Sequence, residues 1–379
     1  MSKRRFELDT RILAIFFLVA MPFVAIGAYI VVGIAESELR ESVALGLEQR
    51  AVETQLQLER YVGEHAVLLR LIGADPDISG SLLRAVAPLE QDEERRLNEA
   101  WSSGERELLE AVVGSRAAEH LRRLTALRPG LRLVQVVDSE GRLVVSSARA
   151  GRVTMGPTDW FVSVSQQGLE PRAYVGDVVR LRDDEPALYD VAWPIRDDEG
   201  VFVGAVRAAF DASDLYTVLA PVRIGRTGHA VLLHGKTGRL LSGDDDGMIL
   251  ESTYPGFAQL NAAMAENRGT WQIPELEGRG PDGTPLVPRL VGYSHVSQLP
   301  GVEWIVAVEQ DAAEASAPID TINFYLWLHF IGAFGTAILL GLYFSFRLEE
   351  PVIEEELHLH EQHIPPSDRA AADASFQVR

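Results

Sequence analysis

Six residues in the middle of the chain have the types that could bind an amine-bearing or cationic small molecule: Trp160, Phe161, Tyr174, Tyr189, Asp190 and Asp211. Aromatic faces attract cations, and carboxylates partner ammonium groups. The set suits binding better than catalysis. Asp190 and Asp211 could act as an acid and base pair only if their surroundings pushed their pKa values apart. No G-x-S-x-G, Walker A loop, dinucleotide fingerprint or zinc triad stands in a supporting context. The sequence therefore predicts a non-enzymatic protein that needs neither cofactor nor metal. Asp244-Asp245-Asp246-Gly247 has part of a calcium-loop pattern, but an acidic turn explains it as well. His358, His360 and His363 lie in a Glu-rich tail with a spacing one residue short of the zinc-protease pair.

Such residues must be held by strands. From 160 to 211, short β-rich runs alternate with turns at 183–186 and 196–200, the pattern of hairpins in an antiparallel sheet. A sheet of this kind can carry a pocket with ring walls and a few orienting polar groups. The same rings also suit a core: Trp160, Trp193 and Trp304 can be read either way. Asp211 precedes a short helix at 212–220, so it can be a cap as well as a ligand partner; Ser213 is the other capping candidate. Upstream, 131–137 and 142–147 form a predicted hairpin around the turn Asp138-Ser139-Glu140-Gly141. A second hairpin, 228–234 and 239–242 around Gly235-Lys236-Thr237-Gly238, copies the first. A helix at 257–266 and strands at 290–296 and 302–309 complete the second unit. Segment 105–127 reads as one amphipathic helix that ends at Arg128-Pro129-Gly130.

The chain of 379 residues has room for two modest domains and membrane anchors. Its formal net charge of −20 excludes the basic footprint that nucleic acid demands. It contains no cysteine, hence no disulfide framework or thiol nucleophile. Two runs, 12–35 and 322–346, are apolar for about 24 residues each, enough to cross a bilayer. His329 is the only ionisable group within them. A cleaved signal peptide is the alternative for the first run, but the apolar stretch is longer than a usual signal core. Lys3, Arg4, Arg5 and Arg11 precede the first run and Glu36, Glu38 and Glu41 follow it, which puts the N-terminal side in the cytoplasm and 36–318 outside. From Glu36 to about Ile72 a rough apolar stripe at helical period continues the first span as one long helix, broken at Gly73-Ala74-Asp75-Pro76.

Taken in order, these features resemble a double Cache (dCache) extracytoplasmic sensor domain over about 36–318. The resemblance rests on the long helix after the first span and the two strand, D/K-x-x-G, strand hairpins. It also rests on the Trp160-Phe161 pair, the Ala192 to Asp211 run and the Gly292-Tyr293 to Trp304 run. It implies an α+β fold: a long stalk helix with two tandem PAS-like antiparallel-sheet units, flanked by two transmembrane helices. The expected layout is cytoplasmic 1–11, span 12–35, stalk 36–78, membrane-distal unit 79–222, membrane-proximal unit 223–318, span 319–346 and cytoplasmic tail 347–379. The resemblance further implies a small-molecule ligand in the distal unit, a homodimer, and residence in a bacterial inner membrane with both termini inside. Signalling would pass through a separate partner protein, since the 33-residue tail is too short for an output domain. One subgroup of the family grips amino acids with an Arg-x-Trp-Tyr element and a later Asp. Here Thr158 stands in the Arg position and Phe161 in the Tyr position, while Trp160 and Asp211 match. Loss of the carboxylate fork argues against an α-amino acid and leaves an amine-bearing ligand, a neutral or other ligand, or none. The remaining alternatives are a ligand-free protein-contact module, a truncated kinase or chemoreceptor, and a tethered enzyme.

Overall fold

The computed structural model describes residues 10–82, 90–149, 151–156, 158–168, 171–180, 185–242, 252–265, 287–299 and 301–348. The sequence readings at 244–247 and in the tail beyond 348 lie outside them. The chain divides into two compact units, 1–39 with 316–379, and 40–315.

In the first unit, helix α1 (Thr10–Gly73) and helix α9 (Ala312–Leu348) are both long and apolar enough to cross a membrane. Large apolar side chains such as Phe23, Tyr29, Phe324, Trp327 and Leu339 are exposed there, as hydrocarbon contact requires. Ala25, Ala28, Tyr29 and Val32 of α1 line a crevice with Asn323, Leu326, Trp327 and Phe330 of α9. His329 turns its polar edge back on its own helix, donating Nδ1–H to the Tyr325 carbonyl at 2.8 Å.

The second unit is built on the rest of α1. Leu47, Ala51, Leu58, Val62, Leu69 and Ile72 recur at helical spacing and are buried, so a single stripe of the helix faces protein. The helix stops at Gly73, where a Cβ would press on Ile195 at 3.0 Å. Pro76 then starts α2 (Pro76–Leu82), with Asp75 Oδ1 accepting from the Asp77 amide at 2.8 Å. Helices α3 (Gln91–Ser103), α4 (Arg106–Val113) and α5 (Arg116–Leu127) follow. The sequence reading of one helix over 105–127 is corrected here. Gly114 ends α4, because a Cβ there would sit 2.7 Å from the Glu110 carbonyl, and Ser115 caps α5 by accepting from the Ala118 amide at 3.1 Å.

The first sheet is antiparallel, in the order β2-β1-β5-β4-β3. Its strands are β1 (Leu131–Asp138), β2 (Leu143–Ser146), β3 (Tyr174–Val175), β4 (Leu188–Arg196) and β5 (Phe202–Asp211), and α6 (Asp159–Ser165) and α7 (Ser213–Leu219) accompany it. The Trp160-Phe161 pair thus lies on a helix rather than a strand. Period-two alternation divides the sheet. Val134, Val136, Tyr189, Val191, Val206, Ala208 and Phe210 join the buried stripe of α1. Val137, Ala192 and Ala205 face the other way, against Trp160, Phe161 and Val164 of α6, Trp101 of α3 and Val112 of α4.

The second sheet runs β6-β7-β9-β8, also antiparallel, from β6 (Arg223–Ile224), β7 (Gly228–His234), β8 (Arg289–His295) and β9 (Trp304–Asp311). Ala230, Leu232, Trp304, Val306 and Val308 share the core of α1, while Val231, Leu233, Ile305 and Ala307 pack with Tyr254 and with Leu260 of α8 (Phe257–Ala265). The helix therefore serves both sheets, the second near Leu47 and the first near Ile72. The two hairpin turns are built alike. Asp138 accepts from the Glu140 and Arg142 amides at 3.0 and 2.9 Å, and His234 Nδ1 accepts from the Lys236 and Thr237 amides at 3.2 and 3.3 Å. Each turn closes on a glycine with positive φ, Gly141 at 78° and Gly238 at 69°.

Candidate functional site

On the face of the first sheet turned away from α1, one residue organises the polar groups. Arg207 lies in the middle of β5, in a run that is otherwise apolar from Val203 to Phe210. Its guanidinium donates to Asp190 Oδ2 on β4 at 2.6 Å and to Gln135 Oε1 on β1 at 2.8 Å. It also lies 5.7 Å from the ring centroid of Trp160. Gln135 is opposite Arg207 in the ladder, and Asp190 is two residues along from Arg207's other partner, Ala192. The guanidinium thus spans three strands beneath an indole from α6. Burying a charge this way is unfavourable unless it is paired, so the pairing is a condition of the fold.

Tyr174 of β3 borders this group. Its backbone pairs with Ala192, and its ring packs near Asp190 across Gly176. Burial first, then the Asp190 and Asp159 charges, push its hydroxyl pKa up, so it remains a donor. Phe161 stands edge-on to Trp160 at 5.7 Å and to Phe202 at 6.0 Å, forming the apolar floor.

The structure thus brings together Trp160, Phe161, Tyr174 and Asp190. Two other residues singled out in the sequence are elsewhere. Tyr189 points to the opposite face, where it is 1% exposed and its hydroxyl meets His65 Nδ1 at 2.9 Å. The His65 imidazole stacks on Phe210 at 3.9 Å, and burial, with help from Arg128, lowers its pKa to about 4. Asp211 shares the face of Arg207 but lies four residues along β5, roughly 13 Å by strand rise. Its Oδ2 accepts from Arg132 Nε and a terminal nitrogen at 3.1 and 2.5 Å, and its Oδ1 accepts from the Ser213 amide and hydroxyl at 3.0 and 2.7 Å. Burial would raise its pKa, but these hydrogen bonds outweigh it and hold the carboxyl low. Asp211 therefore holds the turn that leads into α7, with Ser213 as its donor; the cap position itself is Ala212 and has no side-chain bond. Sequence reasoning did not single out Arg207 or Gln135. The available signal was a lone arginine inside an apolar strand.

Segment 174–178 also ties the two sheets together. Asp177 Oδ1 accepts from Trp304 Nε1 at 3.2 Å, and Oδ2 accepts from Arg239 at 2.6 Å. Arg239 also donates to the Val178 carbonyl at 3.0 Å. Gly301, at φ 95°, closes against the same segment, where a Cβ would lie 3.5 Å from the Tyr174 ring. Tyr174 in the polar group and Asp177 in the inter-sheet clamp are three residues apart, on β3 and the segment that follows it.

Comparison with known proteins found the following similarities. The ligand-binding domain of the Pseudomonas fluorescens chemoreceptor CtaA, in complex with L-serine, is similar at 14% identity and TM-score 0.40, covering 72% of this chain and 98% of that one. The corresponding domain of the Pseudomonas aeruginosa amino acid chemoreceptor PctC, in complex with GABA, is similar at 16% identity and TM-score 0.41, covering 71% and 100%. That of PctB from the same organism, in complex with L-Arg, is similar at 14% identity and TM-score 0.43, covering 73% and 98%. No curated protein sequence matches. Residues 34–319 match the profile of the Cache domain family in its double form, dCache, and with most of its length so matched the chain belongs to that family of ligand-binding sensor domains.

Proposed function

We propose that this chain is a two-pass membrane sensor that binds a small, amine-bearing polar molecule on the outer face of its first sheet. Residues 79–222 would form the membrane-distal unit and 223–318 the proximal one, and the basic residues before α1 would lie in the cytoplasm. The order of the sheets along α1 supports this layout. The ligand amine would meet Asp190 and the Tyr174 hydroxyl, its acceptor atoms the Arg207 guanidinium, and its carbon skeleton Trp160 and Phe161. The observation that carries the reading is Arg207 itself. An apolar side chain at that position would fill the strand without any burial penalty, so a paired guanidinium under an indole serves recognition. Asp211 and Tyr189 are structural in this reading. The ligand-bound state would pass along β3 to the second sheet, and from there through the membrane helices of a homodimer to a separate partner protein. That requires a ligand that prefers one of two arrangements.

The test is a melting screen of the full chain in nanodiscs against amines, amino acids, carboxylates and purines. A ligand present at about 100 times its Kd adds about 2.7 kcal/mol to the folded state. The expected hit stabilises the wild type and fails to stabilise Asp190→Asn and Arg207→Met, both of which still melt cooperatively. A hit that stabilises both variants as well would place the pocket elsewhere. A blank on well-folded protein would favour a protein-contact module instead.

A further inference from the structure

The second sheet carries a polar triad at the sheet positions that Gln135, Arg207 and Asp190 hold in the first. Glu309 on the central strand β9 is opposite His229 on β7, and Arg289 is two residues along from its other partner, Val291, on β8. The central charge is reversed, and here the central residue and His229 are buried while Arg289 is half-buried. Glu309 is 0% exposed and His229 4%. Tyr254, also buried, donates its hydroxyl to Glu309 Oε2, and Arg289 donates to Glu309 Oε1. Arg289 Nε lies 3.9 Å from Asp311 Oδ1.

Both ring nitrogens of His229 face oxygen acceptors. Nδ1 is 3.0 Å from the Thr227 carbonyl, which has only lone pairs to offer, so Nδ1 carries hydrogen. Nε2 is 3.1 Å from Glu309 Oε1. The contact is an ion-pair distance out of line for a hydrogen bond, so a bare Nε2 would leave the Glu309 carboxylate with one positive neighbour fewer. With a proton there, the group balances: buried His229 and half-buried Arg289 are positive, buried Glu309 and half-buried Asp311 negative. Burial alone would raise the Glu309 pKa, but His229, Arg289 and Tyr254 together hold it below the usual range. The Tyr254 pKa is pushed far up by burial and by Glu309, so it does not release the proton in question.

Thr227 links this group to the root of α9. Its carbonyl faces His229, while its amide and hydroxyl donate to Glu314 Oε2 at 2.9 and 2.6 Å, in the first turn of α9. The Arg226 amide donates to Glu314 Oε1 at 2.7 Å, and the Thr227 hydroxyl accepts from the Asp311 amide at 3.1 Å. These bonds hold the Glu314 pKa down at about 2.

We propose that the His229–Glu309 pair is a buried proton sensor that sets how firmly the second sheet holds the root of α9. With the proton in place, His229 fixes Thr227, and Thr227 fixes Glu314. As the pH rises and the proton leaves, the attraction between His229 and Glu309 is lost, which loosens the Thr227 anchor. The tight state is the low-pH state. This device is independent of the ligand site on the first sheet.

The test is nitrogen-15 NMR of histidine-labelled full chain in nanodiscs at about pH 8, where ordinary imidazoles with pKa near 6.5 are neutral. The expected spectrum shows one imidazole protonated at both nitrogens, absent from Glu309→Gln. On raising the pH until that signal titrates, protection at Thr227 and 312–315, taken relative to the intrinsic base-catalysed exchange rate, should fall about tenfold, the ratio that one pKa unit of coupling gives. Nine histidines that are all neutral at about pH 8 would overturn the proposal. So would a titration that leaves protection at Thr227 and the α9 root unchanged. The wild-type spectrum alone decides the first point should Glu309→Gln fail to fold.

Discussion

Arg207 is a charge where the surrounding strand calls for an apolar side chain, and its neighbours are chosen to tolerate it. Replacing it by Met keeps the volume but leaves Asp190 and the buried Gln135 without their partner, so the fold should lose about 2–3 kcal/mol. Ligand affinity should fall about 30-fold or more, the loss expected for a hydrogen bond to a charged group; calorimetric titration of the two proteins reads the ratio. His65 supplies a second prediction from the opposite face. Its pKa in the folded state is about 4, against about 6.5 unfolded, so between those values the unfolded chain binds more protons. Stability should therefore rise with pH across that window and be lost as the pH falls through it, by about 3 kcal/mol in all. Denaturant melts at several pH values should show this slope in the wild type and not in His65→Phe, where the ring still stacks on Phe210. At this scale the sequence was half legible. Types alone picked out Trp160, Phe161, Tyr174 and Asp190, which share one face. Types could not show that Tyr189 alternates to the other face, or that Arg132 comes from another strand to occupy Asp211.

Among the elements, close approach decides more than propensity. Strand β8 crosses α1 at Gly292, where a Cβ would lie 2.4 Å from the Leu47 backbone carbon. Gly292→Ala should destabilise the fold by about 1–3 kcal/mol through overpacking, and a shift in the urea midpoint at constant slope would report it. Asp138 is buried in its turn and accepts two amides and the Arg142 guanidinium, the last at 2.7 Å. Asp138→Ala should cost about 2–3 kcal/mol by leaving those donors without an acceptor, measurable in the same melts. The first hairpin was readable from its turn residues, because Asp followed by Gly is local chemistry; at the second, the chain turns at 235–238 as read, but 239–242 meets β7 only through an isolated bridge between Leu233 and Leu240. The split of 105–127 into α4 and α5 was not, since Gly114 and Ser115 fit an amphipathic stripe as well as they fit a break. Nor was α6 readable as a helix: Asp159-Trp160-Phe161-Val162 has the β-rich composition of a strand, and packing over the sheet overrides it.

At the scale of the whole molecule, two sheets share one helix and one clamp. The spine α1 gives both sheets a common core, and the segment running on from β3 joins the candidate ligand group to the second sheet through Asp177, Trp304 and Arg239. Asp177→Ala should leave ligand affinity within about twofold, because Asp177 lies outside the proposed contacts, while cutting the link between the sheets by about 1–2 kcal/mol. The order of elements made the family legible from sequence, because spans, stalk and paired hairpins are patterns along the chain. The clamp was not legible, because Asp177 and Trp304 are 127 residues apart and meet only in the fold. The most direct measurement is hydrogen exchange of the full chain in nanodiscs, with and without the first ligand that stabilises it. Protection should appear at 159–165, 174–178 and 188–211, and extend to 228–241 and 304–311 in the wild type but not in Asp177→Ala. Protection confined to the second sheet, or spread equally in Asp177→Ala, would contradict a ligand site at Arg207 that speaks to the second sheet through β3.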